Sequence, residues 1–293
     1  MATDYFRECG GSASFNSGKS RCVFDPGKVK MLILVQHGYS LPTELTAENL
    51  KKACYAARPE RLYPVKTIVQ FATSGGEAQT GSVGYGPTTL QGYSARVDTY
   101  TLDENDWGLR ANLMQLKNMA MDMFVVDDMN AIYGMTDNAG NFVGIPLSVV
   151  YPSGQEFDTE SANGYLNVNV GYKDVEAYMK NAEFKVCSFD VVEAMDGLTF
   201  VEFVKLGEGK FRLKEHYGKL GLCSFYKDAF GTPQEVVNES EVTAMTYSEA
   251  EKCFNVTPTS VESITLKDPA TLYEQGVFGI EQWTGETVSS EEA

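Results

Sequence analysis

The apolar residues of this chain come in short runs. No unbroken one exceeds five residues; Met31 to Val35 is the length of a strand, and nothing approaches the ~18 consecutive apolar residues of a membrane-spanning helix. Such a chain builds its core from many strands and a few short amphipathic helices. Its 293 residues, 43% of them hydrophobic, are enough for one large domain or two ordinary ones. The N-terminus lacks the positive stretch followed by an apolar stretch that marks a secretory signal, so neither export nor membrane insertion is expected.

Residues 1–28 are rich in glycine and serine and poor in periodic apolar positions, and are expected to form an extended N-terminal arm. Val29 to His37 reads as a buried strand. The stretch from Thr46 to Arg58 reads as a helix, with Thr46 as N-cap, Pro59 as stop, and Leu50, Ala53, Cys54 and Ala57 on one face. Arg61 to Phe71 reads as a strand. Residues 72–92 carry six glycines and a proline and are expected to be a long loop. Tyr93 to Leu102 alternates, with Val97, Thr99 and Thr101 on one face and Arg96, Asp98 and Tyr100 on the other. Asp103 to Asn118 reads as a second helix. Short strands follow, with a hairpin turn at Asp137 to Gly140.

From residue 184 the strand-like runs become shorter and turn signals separate them. Seven such runs in about 110 residues match the spacing of an immunoglobulin-like sandwich, although the Cys…Trp…Cys signature is missing. The division read from these changes is an arm at 1–28, a β-rich assembly domain at 29–183, an Ig-like β-sandwich at 184–283, and an acidic tail at 284–293. The fold class is mainly β (α+β).

The net charge is −16. By region it is +3 over residues 1–100, −8 over 101–180 and −11 over 181–293. A surface that grips nucleic acid needs the opposite sign. The six cysteines are widely and irregularly spaced, and His37 and His216 are the two histidines. Neither a zinc site nor a catalytic triad is legible. Ala13 to Ser20 fits a relaxed P-loop pattern, but no buried strand precedes it and Pro26 follows too soon for a helix. Gly81-Ser-Val-Gly84-Tyr-Gly86 has the wrong glycine order for a dinucleotide site. Asp127, Asp128 and Asp137 lack the spacing of a calcium loop and read as turn residues. No serine sits in a nucleophile elbow. Neither a cofactor nor an enzymatic activity is expected.

A polar arm, a glycine-rich loop and a two-faced strand series are features of subunits that complete themselves against neighbours. The residues Glu60-Arg-Leu-Tyr-Pro64, Ser74-Gly-Gly-Glu-Ala78, Gly84-Tyr-Gly-Pro87 and Gly92-Tyr-Ser-Ala-Arg-Val-Asp98, with Gly144-Ile-Pro-Leu-Ser148 and Leu166 to Asp174, give a pattern that resembles virion structural proteins of tailed bacteriophages. It is closest to tail tube subunits with a C-terminal Ig-like domain. The resemblance implies a β-sandwich or barrel with a flanking helix, self-assembly into stacked rings, contacts with other virion proteins, and DNA passing through without specific binding. It also implies a place in the virion after assembly in the host bacterial cytoplasm. On this reading Gly75, Gly76, Gly84, Tyr85, Gly86 and Pro87 form an assembly loop. Asp98, Asp103, Glu104, Asp106, Glu156, Asp158 and Glu160 are candidate acids of a DNA-repelling lumen. The alternatives are a connector ring, a capsid or capsid-decorating protein, and a carbohydrate-binding or adhesive β module using Tyr85, Tyr93 or Tyr226.

Overall fold

The computed structural model describes residues 26–82, 84–117, 119–154 and 157–285. Most of the expected arm, the Ala13–Ser20 stretch, Glu156 and all but the first two residues of the expected tail lie outside the described residues. The first unit is built from β1 (Val29–Gln36), α1 (Ala47–Cys54), β2 (Tyr63–Val65), β3 (Ile68–Ser74), β4 (Ala78–Gly81), β5 (Thr89–Tyr93), β6 (Val97–Leu102) and α2 (Trp107–Leu116). After these come β7 (Met121–Asp127), β8 (Ala131–Thr136), β9 (Phe142–Val143), β10 (Ile145–Ser153), β11 (Leu166–Tyr172), α3 (Val175–Asn181), β12 (Ala182–Val186) and α4 (Val191–Ala194).

Two antiparallel sheets stack face to face. One runs β12-β8-β7-β1-β2 and the other β10-β11-β6-β3. The long β10 passes between them, pairing through Ile145 and Pro146 with β7 and from Leu147 onward with β11. The core between the sheets holds Leu32, Leu34, Met121 and Met123 against Tyr100, Leu102, Leu166, Val168 and Val170. The opposite face of the first sheet presents Met31, Ile33, Val35, Phe124 and Val126 to Leu50, Ala53 and Cys54 of α1 and to Val191 and Met195 around α4. β1 is therefore buried on both faces, which is why it reads as a continuous apolar run rather than an alternation. Thr46 caps α1 by accepting from Asn49 N, as the sequence suggests. Asp106 accepts from Gly108 N and Leu109 N, so α2 starts at Trp107, later than Asp103.

Three expectations about this unit are corrected. The single strand from Arg61 to Phe71 is two strands, because Thr67 takes a left-handed conformation (φ 60°) between them. The expected loop at 72–92 is the end of β3 followed by a hairpin of β4 and β5; Gly75 and Gly76, at φ 77° and 78°, make the corner between them. The boundary at 183/184 cuts through β12, which pairs with β8 from Ala182↔Met135 to Val186↔Ala131. Cys187, Val191 and Met195 are also buried in the first unit.

The second unit contains β13 (Thr199–Gly207), β14 (Lys210–Glu215), α5 (Pro233–Val236), β15 (Ala244–Ser248), β16 (Cys253–Thr257), α6 (Pro269–Glu274) and β17 (Ile280–Gln282). Its strands form one sheet, β15-β16-β14-β13-β17, with β17 parallel to β13. The second sheet that an Ig-like sandwich requires is absent among the described residues. Leu222, Phe230, Val236, Val261, Ile264, Leu266 and Leu272 cover the sheet from loops and helical turns instead. Two of the seven strand-like runs, Leu220–Phe225 and Val261–Leu266, hold only isolated bridges, Lys214↔Gly221 and Val237↔Leu266.

Candidate assembly surface

The β4–β5 hairpin leaves the second sheet between β3 and β6, at the Ser74↔Val97 end of that pair. Ser94 N donates to Glu77 O and Glu77 N to Ser94 Oγ, closing its base. Of the six predicted loop residues, Gly75 and Gly76 set the corner, while Gly84, Tyr85, Gly86 and Pro87 occupy the tip. Tyr85 is fully exposed and Leu90 is 54% exposed. From Ala78 to Ala95 the chain carries no charged side chain. In a chain of net charge −16, that makes the hairpin an electrostatically neutral projection.

The predicted lumen acids divide. Asp98 is only 1% exposed and faces the core, so it is corrected from lumen acid to structural anchor. Its carboxylate accepts from Arg96 Nε and Nη2 (2.9 and 3.0 Å) and from Tyr172 Oη (2.8 Å). Burial opposes the Arg96 charge, but the hydrogen bonds to Asp98 and the Tyr172 ring 4.5 Å away hold its pKa above the ordinary value. Burial, with Tyr100 and Asp98 beside it, keeps the Tyr172 phenol protonated. Asp103, Glu104, Asp106, Asp158 and Glu160 are exposed. Asp106 caps α2, and Asp158 accepts from Gly164 N. The Trp107 and Phe157 rings lie 6.0 Å apart, bringing the 157–164 loop beside the start of α2 and so gathering the acids at one end of the sandwich. Both rings are more than half exposed.

Sequence reasoning missed the outer face of the second sheet. Registered pairs set Tyr151, Ser153, Asn167, Asn169, Thr99, Thr101, Gln70 and Ala72 on it. Thr99 Oγ1 donates to Asn169 Oδ1 (2.9 Å), and Asn169 Nδ2 to Ser153 Oγ (2.7 Å). None of these side chains is charged. A groove of about 460 Å³ runs across the face at its Leu102 end, between Gln70, Thr101 and Asn167 on the strands and Asn163 to Tyr165 on the loop. Asn167 Oδ1 is buried there without a hydrogen-bond partner. The signal that could have found this face is the Leu166-Asn-Val-Asn-Val170 alternation, in which the polar positions are all amides.

The two units meet at a second cleft of about 440 Å³, between α2, β2 and the start of β13. Arg61 Nη1 donates to Glu281 there, and Gln115 Nε2 to Tyr217 Oη (2.7 Å). His37 Nδ1 lies 2.7 Å from Asp122 Oδ1, and His216 stacks on Trp283 (centroids 4.2 Å apart), so each histidine is held by a neighbouring group. Asp127 accepts from Met129 N and Ala131 N, and Asp137 from Ala139 N and Asn141 N, the turn chemistry the sequence suggests. Among the described residues no three His, Cys, Asp or Glu side chains gather as a metal site, and no helix is long and apolar enough to cross a membrane.

The class defined by these features is a mainly β protein, a two-sheet sandwich with flanking helices and a single-sheet second unit. No family model and no curated protein matches the chain. Among solved structures it is similar to the cryo-EM structure of the anti-feeding prophage cap (AFP tube terminating cap). Sequence identity is 10% and the TM-score is 0.26, over 58% of this chain and 98% of that one. Similarity of that degree lies below a shared fold.

Proposed function

We propose that this chain is a self-assembling structural subunit of a phage-type particle, of the tail tube kind, whose copies stack as rings around an acidic channel for DNA. The observation that carries the reading is the β4–β5 hairpin. An isolated two-stranded hairpin is marginal in water, and this one projects with an exposed tyrosine and leucine and no charge to solvate it. It gains a stable position by burial against another surface. The exposed acids Asp103, Glu104, Asp106, Asp158 and Glu160 then line the opening. A wall that repels phosphate lets DNA slide, because no favourable contact has to be broken at each step. The partners on this reading are other copies and other virion proteins, with DNA as unbound cargo, and the role is structural rather than catalytic.

Light scattering after size exclusion, followed by negative-stain imaging, tests this directly. Rings or tubes of uniform diameter are the expected result. A protein that stays monomeric at every concentration overturns the reading.

A further inference from the structure

Resting on the proposal of self-assembly, we infer that the β4–β5 hairpin of one copy seats on the uncharged outer face of the second sheet of the next copy, in the groove at its Leu102 end, where Asp103 is the one charged residue of the lining. Two copies of a chain with net charge −16 repel each other over most of their surface. They can approach closely where both sides lack carboxylates. Two such regions are adjoining in the chain but separate in space: the stretch from Ala78 to Ala95, and the face formed by Gln70, Ala72, Thr99, Thr101, Asn167 and Asn169. Depletion of charge is what distinguishes the centre of an interface from ordinary surface.

Their placement permits a contact that repeats from copy to copy. The hairpin departs at the Val97 end of β6, and the groove opens at the Leu102 end, beside Asn163 to Tyr165. Along a six-residue strand those ends are roughly 17 Å apart. No residue of the hairpin lines the groove of its own chain. A donor at one end and an acceptor at the other can repeat head to tail and propagate as a stack, as the proposed assembly requires, or be exchanged reciprocally across a two-fold axis. The groove also offers what such a segment needs: Asn167 Oδ1 as a buried acceptor without a partner, and exposed Val69 on the edge strand as an apolar rim.

The test places a benzophenone amino acid at position 85 of the full chain, mixes light and heavy-isotope-labelled protein, irradiates the assembled material and maps the products by mass spectrometry. Light-to-heavy cross-links from the hairpin tip to peptides containing residues 68–73 or 163–167 are expected. Oligomers whose cross-links map elsewhere, or only within one chain, overturn this inference while self-assembly stands. Absence of oligomers overturns both. As a second measurement, Gln70→Glu and Thr101→Glu place a carboxylate on the face. Each is expected to raise the concentration at which oligomers appear by about tenfold or more, with the circular dichroism spectrum of the monomer unchanged. An unaltered assembly threshold in both variants counts against the groove as the acceptor.

Discussion

Arg61 and Glu281 lie 220 residues apart in the chain and 2.7 Å apart in space, joining the connection between α1 and β2 to the last described strand. Arg61 is 4% exposed, and its Nε also donates to Ala56 O (2.8 Å), so the guanidinium is held from both units. Close by, Tyr55 Oη accepts from Gly279 N, and the Tyr55, Tyr273 and Phe278 rings cluster. The two units are thereby locked by Glu281, which pairs with Arg61 and also lies 3.9 Å from Arg58 Nη2, beside an aromatic patch. Removing one partner of such a pair leaves a buried charge uncompensated, which costs more than the pair itself contributes. Glu281→Ala should therefore lower the unfolding free energy by about 3 kcal/mol, and Arg61→Met combined with Glu281→Leu should lose clearly less. Denaturant unfolding of the three proteins decides it. Equal losses in the single and double variants would show that packing, not charge, dominates.

Asp98 makes the opposite prediction to the one its sequence position suggests. An acid facing a channel is neutralised without harm to the fold, whereas Asp98 anchors Arg96 and two tyrosines inside the sandwich. Asp98→Asn should cost about 3 kcal/mol. Glu104→Gln and Glu160→Gln, at exposed positions, should stay within about 0.5 kcal/mol of the parent. Thermal unfolding of the three variants separates the roles, and a harmless Asp98→Asn would return that residue to the surface.

Asp98 also shows where the sequence stops being legible. Alternation along Val97 to Leu102 marks two faces but not which one points inward. Arg96 and Asp98 neutralise each other on the same face, which lets a charged position sit where polarity alone would place Val97 and Thr99. β1 and α1 were readable because their signals are local: a run apolar on both faces and a threonine cap. The second unit was not, because Leu222, Val261, Ile264 and Leu266 bury as deeply from loops as strand residues do from a sheet. An apolar run therefore mimics a strand there. β17, three residues long, has no periodicity to read. The hairpin was visible as a glycine-rich segment, but its two strands were not. Four of its nine strand residues are glycine or threonine, and none of the nine is charged.

Glu202 gives the second unit a defined acid dependence. Lys214 Nζ donates to its Oε1 (2.9 Å), and His216 Nδ1 lies 3.2 Å from Oε2. The Lys214 hydrogen bond, opposed by partial burial and helped by His216, holds the Glu202 carboxyl below the ordinary carboxylate range. A depressed folded-state pKa contributes stability that is fully present above the unfolded value, about 4.5, and lost as the pH falls through the folded value. The difference in Tm between the parent and Glu202→Gln should therefore be constant above about pH 5 and shrink as the solution is made more acidic. His216 stacks on Trp283, so tryptophan fluorescence should change over the same acid range. A Tm difference independent of pH would mean that Glu202 acts through shape alone.

Gly75 ties the aim of the hairpin to assembly. Its φ of 77° lies in the region that favours glycine, and an added Cβ would stand 1.9 Å from the Ala95 carbonyl oxygen. That neighbour is backbone and has no side-chain rotamer to yield, so Gly75→Ala must move the corner where β3 hands the chain to the hairpin. The core between the sheets lies beyond this corner, and its residues from Leu32 to Val170 do not depend on it. The variant should fold, lose about 1–3 kcal/mol, and form rings or tubes poorly because the hairpin no longer points along its original direction. Gly84→Ala, at the tip with open space around it, has a positive φ of 58° but no neighbour to strike. It should lose about 1–2 kcal/mol and still assemble. Parallel light-scattering and unfolding measurements on the two variants separate aim from stability. Normal assembly by Gly75→Ala would show that the hairpin's direction does not matter.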